Sequence, residues 1–464
     1  MTALELVGAD QQVPLLSGAA ARYVNLDYAA STPPTVGVLQ ALESFLPYYS
    51  SVHRGAGFKS LVSTEVYESA REAVRRFFGA GADRTVIFTR NTTDSLNLLA
   101  ASLPSGTRVA TFASEHHANL LPWHRPGLSV LRLPIPRDAG ESLDRARAAL
   151  SEGTVDLVAV TGASNVTGEI WPVAELASIA HEHGAAIVVD AAQLAPHLPI
   201  DMEALQADYL AASGHKMYAP FGCGVLVGTP RWLDSGPPFL RGGGAVRFVT
   251  TDEVLWADLP DRQEAGSPNV VGAFAFAVAL TELAEYGMDR VRDHDCSLGA
   301  YARRRLARID GVSTYELWPE TAPRTGVVLF NVGGYHHSLV AAVLSAEHGI
   351  GVRHGCFCAH PLLARLLGLT DEDVDEVVAA MLGGAPRPVP GAVRASVGVG
   401  SSEDDIDRLA NALEELVRRG PSGEYVYDEA SSEYLPAHDD RPRPEVGLPL
   451  ARAARVGAAR GESS

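Results

Sequence analysis

The chain has 464 residues, more than one ordinary domain, and its 46% hydrophobic and 20% charged residues indicate a folded globular protein rather than a disordered one. A formal net charge of −18 without a long basic run argues against nucleic acid or membrane as a main partner. Apolar stretches fall short of the ~20 residues of a membrane span, and residues 1–11 lack the pattern of a secretory signal. Four cysteines in a chain of this length do not make a disulfide framework. We therefore expect a cytoplasmic protein.

The first part of the chain alternates β-rich apolar runs with helical patterns. Seven strands are predicted, at 85–89, 108–112, 130–133, 156–161, 185–189, 209–212 and 224–228. Helices are predicted at 59–79, 94–102 and 172–184. Strands that alternate with helices predict an α/β fold with a large, mostly parallel seven-stranded sheet that is covered on both faces.

The pattern changes after about residue 285. A smaller α+β domain is predicted from helices at 290–308, 337–348 and 403–418 and from extended stretches at 326–330, 351–353 and 392–397. From Pro421 the chain is polar and rich in proline, which predicts a flexible or loosely docked tail, with an oligomer clasp as the alternative. We therefore predict an N-terminal arm at 1–23, a large domain at 24–285 whose first segment lies near the small domain, a small domain at 286–420 and a polar tail at 421–464.

Lys216 is the most informative residue of the sequence. It stands in the motif SGHK at 213–216, directly after one predicted strand, and Asp190 ends the preceding strand in the motif DAAQ at 190–193. Pyridoxal phosphate requires a lysine for its Schiff base and an acidic partner for its ring nitrogen. The two residues therefore predict a pyridoxal phosphate site, and the alternative is a surface lysine after a strand.

A possible anion site follows the strand at 85–89. The motif RNTTDSL at 90–96 begins a helix there, and exposed N–H groups with the hydroxyls of Thr92 and Thr93 would attract a phosphate. The alternative is that these residues only cap the helix, since threonine and aspartate are usual caps.

Two further residues have two interpretations each. His116, in the motif EHHAN at 115–119, is either a flat surface against a cofactor ring or a structural or capping histidine. Arg394, inside an apolar strand, is either a clamp for a substrate carboxylate or one side of a structural ion pair.

Cys356 and Cys358 lie among Arg353, His354 and His360. A zinc site is disfavoured, because no second cysteine pair accompanies the motif. A thiolate nucleophile is favoured, because nearby cationic groups lower the pKa of a thiol. Two small buried apolar residues remain the alternative, for Cys356 more than for Cys358.

Together these residues resemble the class V branch of the fold-type I pyridoxal phosphate enzymes, and more closely the group II cysteine desulfurase and selenocysteine lyase family. The resemblance covers about residues 24–417. It rests on the motifs NLDYAA at 25–30, VHRG at 52–55, EHHAN at 115–119 with PW at 122–123, SNVTG at 164–168 and EAGSPN at 264–269.

The resemblance implies a role for each matching residue. Cofactor contacts are implied for Lys216 as the Schiff-base lysine, Asp190 at the pyridine nitrogen, Gln193 at the phenolic oxygen and His116 on the ring face. Phosphate contacts are implied for Thr93, Ser213 and His215, with Thr92 beside them and Ser267 contributed by a neighbouring subunit. Substrate contacts are implied for Asn165, Arg353 and Arg394, and Cys358 falls at the sulfur-accepting position. No metal site is expected.

The implied function is that of a cysteine desulfurase: a homodimer that converts L-cysteine to L-alanine, leaves a persulfide on Cys358 and passes the sulfur to an acceptor, for which a protein is one candidate. Lys216 would move the Cα proton. Alternatives are a class V aminotransferase, a C–S lyase or an epimerase of secondary metabolism, or a regulatory protein that binds pyridoxal phosphate. The sequence departs from the family at 356–357 and at 398–402. The first departure leaves open whether Cys356 or Cys358 is the nucleophile. Whether the substrate is cysteine or selenocysteine also stays open.

Overall fold

The structure is a computed structural model and describes residues 4–53, 55–383, 389–429 and 431–447. Arg54, in the motif at 52–55, and residues 448–464 of the predicted tail lie outside the described residues. Within the described ranges no single helix is long and apolar enough to cross a membrane, and one bent pair, Val270–Tyr286 with Met288–Leu306, passes that test by length and composition alone.

The N-terminal segment contributes to both domains. Its strands are β1 (Gln12–Pro14) and β2 (Ala20–Arg22), which pair antiparallel, and β3 (Val24–Asn25), which pairs in parallel with a strand of the small domain. Val24 and Leu26 are buried in the small-domain core. Helices α1 (Val36–Phe45) and α2 (Phe58–Phe77) instead pack on the core of the large domain.

The large domain is built on one seven-stranded sheet. Its strands are β4 (Thr85–Thr89), β5 (Arg108–Phe112), β6 (Ser129–Leu133), β7 (Leu157–Thr161), β8 (Ala186–Asp190), β9 (Tyr209–Ser213) and β10 (Gly224–Gly228). Their order in the sheet is β4-β10-β9-β8-β7-β5-β6, and all neighbours are parallel except β10, which runs antiparallel to β4 and β9. The helices of this domain are α3 (Thr92–Ser102), α4 (His117–Leu120), α5 (Ala139–Ser151), α6 (Val173–Glu182), α7 (Pro230–Leu233) and α8 (Val270–Tyr286).

Alternate residues of the central strands enter two separate cores, one on each face of the sheet. In β8, Ile187 and Val189 pack on the side of α6 and α8, whereas Ala186 and Val188 pack on the side of α3. Both faces of the strand are thus withdrawn from water, and each valine or isoleucine so buried contributes about 1.5–3 kcal/mol. This double burial is why the strands appear in the sequence as unbroken apolar runs.

A hairpin and the small domain follow. The hairpin consists of β11 (Val246–Val249) and β12 (Val254–Trp256). The small-domain strands are β13 (Val312–Tyr315), β14 (Val327–Val332), β15 (Ile350–Gly351), β16 (Arg353–Gly355) and β17 (Ala392–Ser396), of which four form an antiparallel sheet in the order β13-β14-β17-β16. Its helices are α9 (Met288–Leu306), α10 (His337–His348), α11 (His360–Leu366), α12 (Asp371–Leu382) and α13 (Glu403–Arg419).

Helix α13, the last helix of the small domain, begins and ends at residues that are typical helix caps. Ser402 caps the helix and forms a reciprocal capping box with Asp405, and Gly420 ends it at a φ of 74°. The residues that recur every three or four positions, among them Ile406, Leu409, Leu413 and Leu416, are buried in the small-domain core.

The first part of the tail differs from the prediction. The described residues after Pro421 form a hairpin of β18 (Tyr425–Asp428) and β19 (Glu433–Pro436) that lies against α10. The prediction of a flexible or loosely docked tail did not include this hairpin. Four-residue strands carry too short an alternation to stand out in the sequence, and the contacts that hold them come from a helix about ninety positions earlier.

Most predicted elements are present with ends shifted by no more than two residues. The helices that were not predicted are α1, α4, α5, α7, α8, α11 and α12. In α8 the omission has a physical cause: the helix is buried on most sides, so its sequence lacks the alternation of polar and apolar residues that marks a surface helix.

Candidate active site

A cavity of about 490 Å³ opens where the carboxyl ends of the central strands face the small domain. Its lining unites all but one of the residues predicted from the sequence: Thr92, Thr93, His116, Asn165, Asp190, Gln193, Ser213, His215, Lys216, Arg353, Cys358 and Arg394. The exception is Ser267, which is exposed and lies outside the lining as far as the described residues define it.

Lys216 lies beyond the end of β9, in a short helical turn that begins at Gly214. The turn requires glycine there, because a Cβ would lie 2.9 Å from the carbonyl oxygen of Cys223. Burial lowers the pKa of the Lys216 amine to about 8, and the Asp190 carboxylate opposes this shift. The amine is therefore neutral, and nucleophilic, more often near pH 7 than that of an ordinary lysine.

Asp190 ends β8, where it is in register with Ala211 of β9. Burial raises the pKa of its carboxyl, whereas the N–H of Ala192, which donates to Oδ1 at 2.9 Å, and the charge of Lys216 both favour the carboxylate. A buried carboxylate with these two supports suits a cationic partner such as a protonated ring nitrogen, since that partner replaces the lost hydration.

The ring of His116 is held in place by a hydrogen bond from a nearby backbone N–H. Its Nδ1 accepts a hydrogen bond from the N–H of Ala118 at 3.0 Å, so the ring also caps α4. Burial, followed by the charge of Lys216, lowers the pKa of His116 to about 3. The imidazole is therefore neutral at physiological pH, with its proton on Nε2, and presents an uncharged ring to the cavity. The two interpretations of this histidine are compatible, because the ring caps a helix and lines the cavity.

Gln193, in the cavity lining, has a hydrogen-bond acceptor that no described residue uses. Its Nε2 donates to the carbonyl oxygen of Ala29 at 2.6 Å. Its Oε1 is buried and has no hydrogen-bond partner within the described part of the chain. A buried polar atom without a partner costs about 1–3 kcal/mol, so this amide fits a site that is completed by a bound polar group.

The start of α3 lies at the cavity, at the position of the predicted anion site. The helix is capped by Asn91, whose side chain accepts from the N–H of Asp94 at 3.0 Å. Thr92 bonds Ser213 through both its N–H, at 2.7 Å, and its hydroxyl, at 2.8 Å. The cap is thus Asn91 rather than the threonines, and exposed Thr93 lines the cavity at the positive end of the helix.

Arg394 projects from β17 and is only 3% exposed. Its Nη1 donates to the carbonyl oxygen of Asn165 at 2.8 Å, and its Nη2 donates to Asp27 Oδ1 at 3.2 Å. Its Nε has no partner among the described residues, and the guanidinium lies 5.1 Å from the ring centre of Phe357. The ion pair agrees with the structural interpretation. Arg394 also lines the cavity, and the clamp for a substrate carboxylate stays a prediction.

Asp27 is the partner that the sequence did not identify. Burial raises the pKa of its carboxyl, and Arg394 and Arg353 oppose that shift. The nearest approach of Arg353 Nη1 to Asp27 is 3.9 Å. Asp27 lies in the motif at 25–30, so a signal was present, but only the fold shows which arginine it meets.

The cysteine loop, residues 353–361, brings Cys358 to the surface of the cavity. Phe357 and Cys358 both have positive φ angles, of 53° and 54°, which turns the loop sharply. Cys358 is exposed, whereas Cys356 is partly buried against an apolar cluster that contains Phe357. Asn165 holds the loop from the large domain, donating from Nδ2 to the carbonyl oxygen of Phe357 at 2.8 Å.

Several residues at the site were not predicted. Glu115 is fully buried, and it accepts from Asn119 Nδ2 at 2.8 Å and from the N–H of Thr161 at 3.0 Å. The far wall of the cavity is lined by His337, His354 and the hairpin residues 431–433. Across the described ranges, no group of three or more His, Cys, Asp or Glu side chains could hold a metal ion.

Known proteins share this sequence and architecture. The family model described as aminotransferase class-V matches residues 24–409. A protein of Halalkalibacterium halodurans named "Probable cysteine desulfurase" is 37% identical over 401 residues, which cover 84% of this chain and 92% of that protein. A protein of the same name from Staphylococcus epidermidis is 36% identical over 382 residues, covering 78% of this chain and 91% of that protein.

Two solved structures extend the similarity to the fold. The apo structure of a cysteine desulfurase from Thermococcus onnurineus is 32% identical, has a TM-score of 0.76, and the match covers 90% of this chain and 100% of that one. The cysteine desulfurase CsdA of Escherichia coli, in an S-sulfonic acid form, is 33% identical with a TM-score of 0.73, covering 88% and 97%. The predicted mostly parallel seven-stranded sheet is confirmed, and the chain belongs to the aminotransferase class-V family.

Proposed function

We propose that this protein is a pyridoxal phosphate-dependent cysteine desulfurase, which converts L-cysteine to L-alanine and carries the sulfur as a persulfide on Cys358. The observation that carries the proposal is that exposed Cys358 and enclosed Lys216 line one cavity although they lie in different domains. Curated relatives at 35–37% identity are named as probable cysteine desulfurases, which supports the assignment.

The residues present fit pyridoxal phosphate. Lys216 would bind the aldehyde carbon, Asp190 would hold the ring nitrogen, and His116 would lie against the ring. The unsatisfied amide oxygen of Gln193 would accept a hydrogen bond from the phenolic hydroxyl. The phosphate would lie at the start of α3, near Thr93, Ser213 and His215, with Thr92 fixing Ser213. When bound, the cofactor draws electrons from the Cα of an attached amino acid.

The chain's own groups supply the remaining chemistry. Arg394 and Asn165, with Arg353 at the entrance, would orient the substrate carboxylate, and the Lys216 amine would remove and return protons at Cα. The Cys358 thiolate attacks the substrate sulfur, so that an S–S bond forms as the C–S bond breaks. L-cysteine and the Cys358 thiol thus become L-alanine and a Cys358 persulfide, with atoms and electrons balanced.

The protein would act as a cytoplasmic homodimer. Support for the dimer comes from the exposed apolar residues Phe248, Val249, Val254 and Leu255 on the hairpin β11–β12 and from the position of Ser267 outside its own cavity. Support for a reducing compartment comes from the cysteines, all four of which lie in the described residues as free thiols. The sulfur would pass from Cys358 to an external acceptor, for which a protein is one candidate.

The test is turnover of L-cysteine by the protein loaded with pyridoxal phosphate. We expect alanine and sulfide in equal amounts with dithiothreitol as acceptor, loss of both in Cys358→Ala, and retention in Cys356→Ala. Unchanged activity in Cys358→Ala would contradict the assignment and favour a C–S lyase, whereas amino transfer to a keto acid would favour an aminotransferase. Parallel assays with L-selenocysteine decide between the two substrates.

A further inference from the structure

The hairpin β18–β19 lies beyond the family match, which ends at residue 409, and yet it reaches the active-site cavity. Ser431, Ser432 and Glu433 belong to the cavity lining, together with His337 and His354. A segment outside the family region therefore forms part of the cavity wall.

The base of the hairpin is fixed to α10. The Glu347 carboxylate accepts hydrogen bonds from the N–H of Ser422 at 3.0 and 3.1 Å, from the N–H of Gly423 at 3.1 Å and from the Tyr425 hydroxyl at 2.9 Å. Burial alone would raise the pKa of Glu347, but these donors lower it. A carboxylate that receives several donors forms charge-assisted bonds, so the base of the hairpin is firmly attached.

The strands of the hairpin are held along their length. The N–H of Tyr434 donates to Ser338 Oγ at 2.8 Å. The rings of Tyr427 and Tyr434 lie 5.2 Å apart, and His336 lies 5.8 Å from Tyr434. These contacts fix the direction in which the hairpin tip points.

The tip lies beside the strand that leads into the cysteine loop. Glu433 Oε1 lies 3.7 Å from His354 Nε2, and His354 Nδ1 lies 3.3 Å from His337 Nδ1. Because His337 Nε2 lies 3.0 Å from the carbonyl oxygen of Val389, which only accepts, the proton of neutral His337 is on Nε2 and His354 Nδ1 is the donor to His337. The tip itself is closed by Ser431, whose N–H and hydroxyl donate to Asp428 Oδ2 at 3.2 and 2.7 Å.

We propose that residues 431–433 form a specificity-determining wall, which limits how far a group attached to the cysteine sulfur can extend toward the cavity mouth. The inference rests on the proposed function, because the ligands it concerns are cysteine and its S-substituted derivatives. The wall admits the free thiol and rejects long S-substituents by contact, while the Glu433 carboxylate disfavours anionic ones.

Direct binding tests this wall without turnover. Protein loaded with pyridoxal phosphate is titrated with S-methyl-, S-propyl- and S-benzyl-L-cysteine, and the dissociation constants are compared between the wild type and the variant Ser431→Gly/Ser432→Gly/Glu433→Ala. We expect the variant to gain about tenfold in affinity for the benzyl ligand relative to the methyl ligand, since one or two badly placed groups cost about that much in a fitted pocket. This experiment measures only binding, so its result does not depend on turnover. A lack of desulfuration would contradict the proposed function but would not decide whether residues 431–433 form the proposed wall.

Charge is tested with a matched pair of variants. Glu433→Gln is expected to improve binding of S-carboxymethyl-L-cysteine about threefold relative to S-propyl-L-cysteine, as suits a half-exposed charge. Glu424→Gln, the same change at the exposed opposite end of the hairpin, is the control and should leave the ratio unchanged. The triple variant must elute and melt like the wild type. If its ratio of dissociation constants for the benzyl and methyl ligands then equals that of the wild type, the proposal is overturned.

Discussion

The backbone N–H of His117 donates to the carbonyl oxygen of Cys358 at 2.8 Å, which joins the start of α4 in the large domain to the cysteine loop of the small domain. His116, the preceding residue, faces the cavity, so adjacent residues position the proposed ring contact and the proposed nucleophile. The His117 ring strengthens this connection: its Nε2 lies 3.1 Å from His360 Nδ1, and the two rings are stacked with centres 5.0 Å apart.

Replacing the His117 ring should loosen the cysteine loop. His117→Ala keeps the backbone bond but removes the contact with His360, which we expect to slow alanine formation in a single turnover about fivefold, the equivalent of one ordinary hydrogen bond. Binding of pyridoxal phosphate should stay unchanged, since the ring contacts the loop and not the proposed cofactor site.

The control is His124→Ala, which removes an exposed histidine whose Nε2 lies 3.0 Å from Arg132 Nη2. Equal rates for His117→Ala and His124→Ala would show that the His117–His360 contact does not position Cys358.

The titration of Lys216 can be measured without any cofactor. The chain has two lysines, Lys59 and Lys216, and Lys59 is exposed. We expect competitive acetylation of the apo protein to show Lys216 gaining reactivity with a midpoint near pH 8, because burial lowers its pKa to about that value. Peptide mass spectrometry reads both lysines in one sample, with Lys59 reporting on reagent concentration.

The variant Asp190→Asn sharpens this measurement. The Asp190 carboxylate raises the pKa of Lys216, so its loss should move the midpoint to lower pH. A midpoint near 10.4 in the wild type, the value of an ordinary lysine, would mean that Lys216 is not enclosed as described.

The sequence identified the proposed catalytic groups better than the groups that hold them. Lys216, Asp190 and Cys358 follow strands or turns with recognisable motifs, and the carboxyl ends of parallel strands necessarily meet at one edge of the sheet. Asp27 and Glu115 stand in motifs that the sequence analysis quoted, yet their partners depend on which strands lie side by side. That adjacency is a property of the sheet order, which no local pattern records.

The hairpin β18–β19 was missed for a related reason. Its two strands are short, and its attachment depends on Glu347 in a helix that is complete without it. The composition after Pro421 favoured disorder, because few apolar residues are available there to offset the entropy of ordering the chain. Hydrogen bonds to one carboxylate and tilted or edge-on contacts among three aromatic rings supply the stabilisation instead.

The buried Glu115 should make the stability of the protein depend on pH. Burial raises the pKa of its carboxyl to about 8 in the folded state, from a value near 4.5. A raised pKa means that the folded state binds the proton more tightly, so this stabilising contribution is complete below about pH 4.5 and is lost as the pH rises to about 8. In Glu115→Gln no such loss occurs, and we expect the variant to be more stable than the wild type at pH 8.5 by a few kcal/mol.

Urea denaturation at pH 5.5 and pH 8.5 measures the difference. Glutamine can keep the bond from the Thr161 N–H, and its amide can donate to Asn119 Oδ1, which has no partner in the described residues, if the Asn119 amide turns. Glu424→Gln, an exposed change of the same kind, should show no difference between the two pH values relative to the wild type. If the free energy of unfolding of Glu115→Gln followed that of the wild type across this range, Glu115 would be ionised in the folded protein throughout.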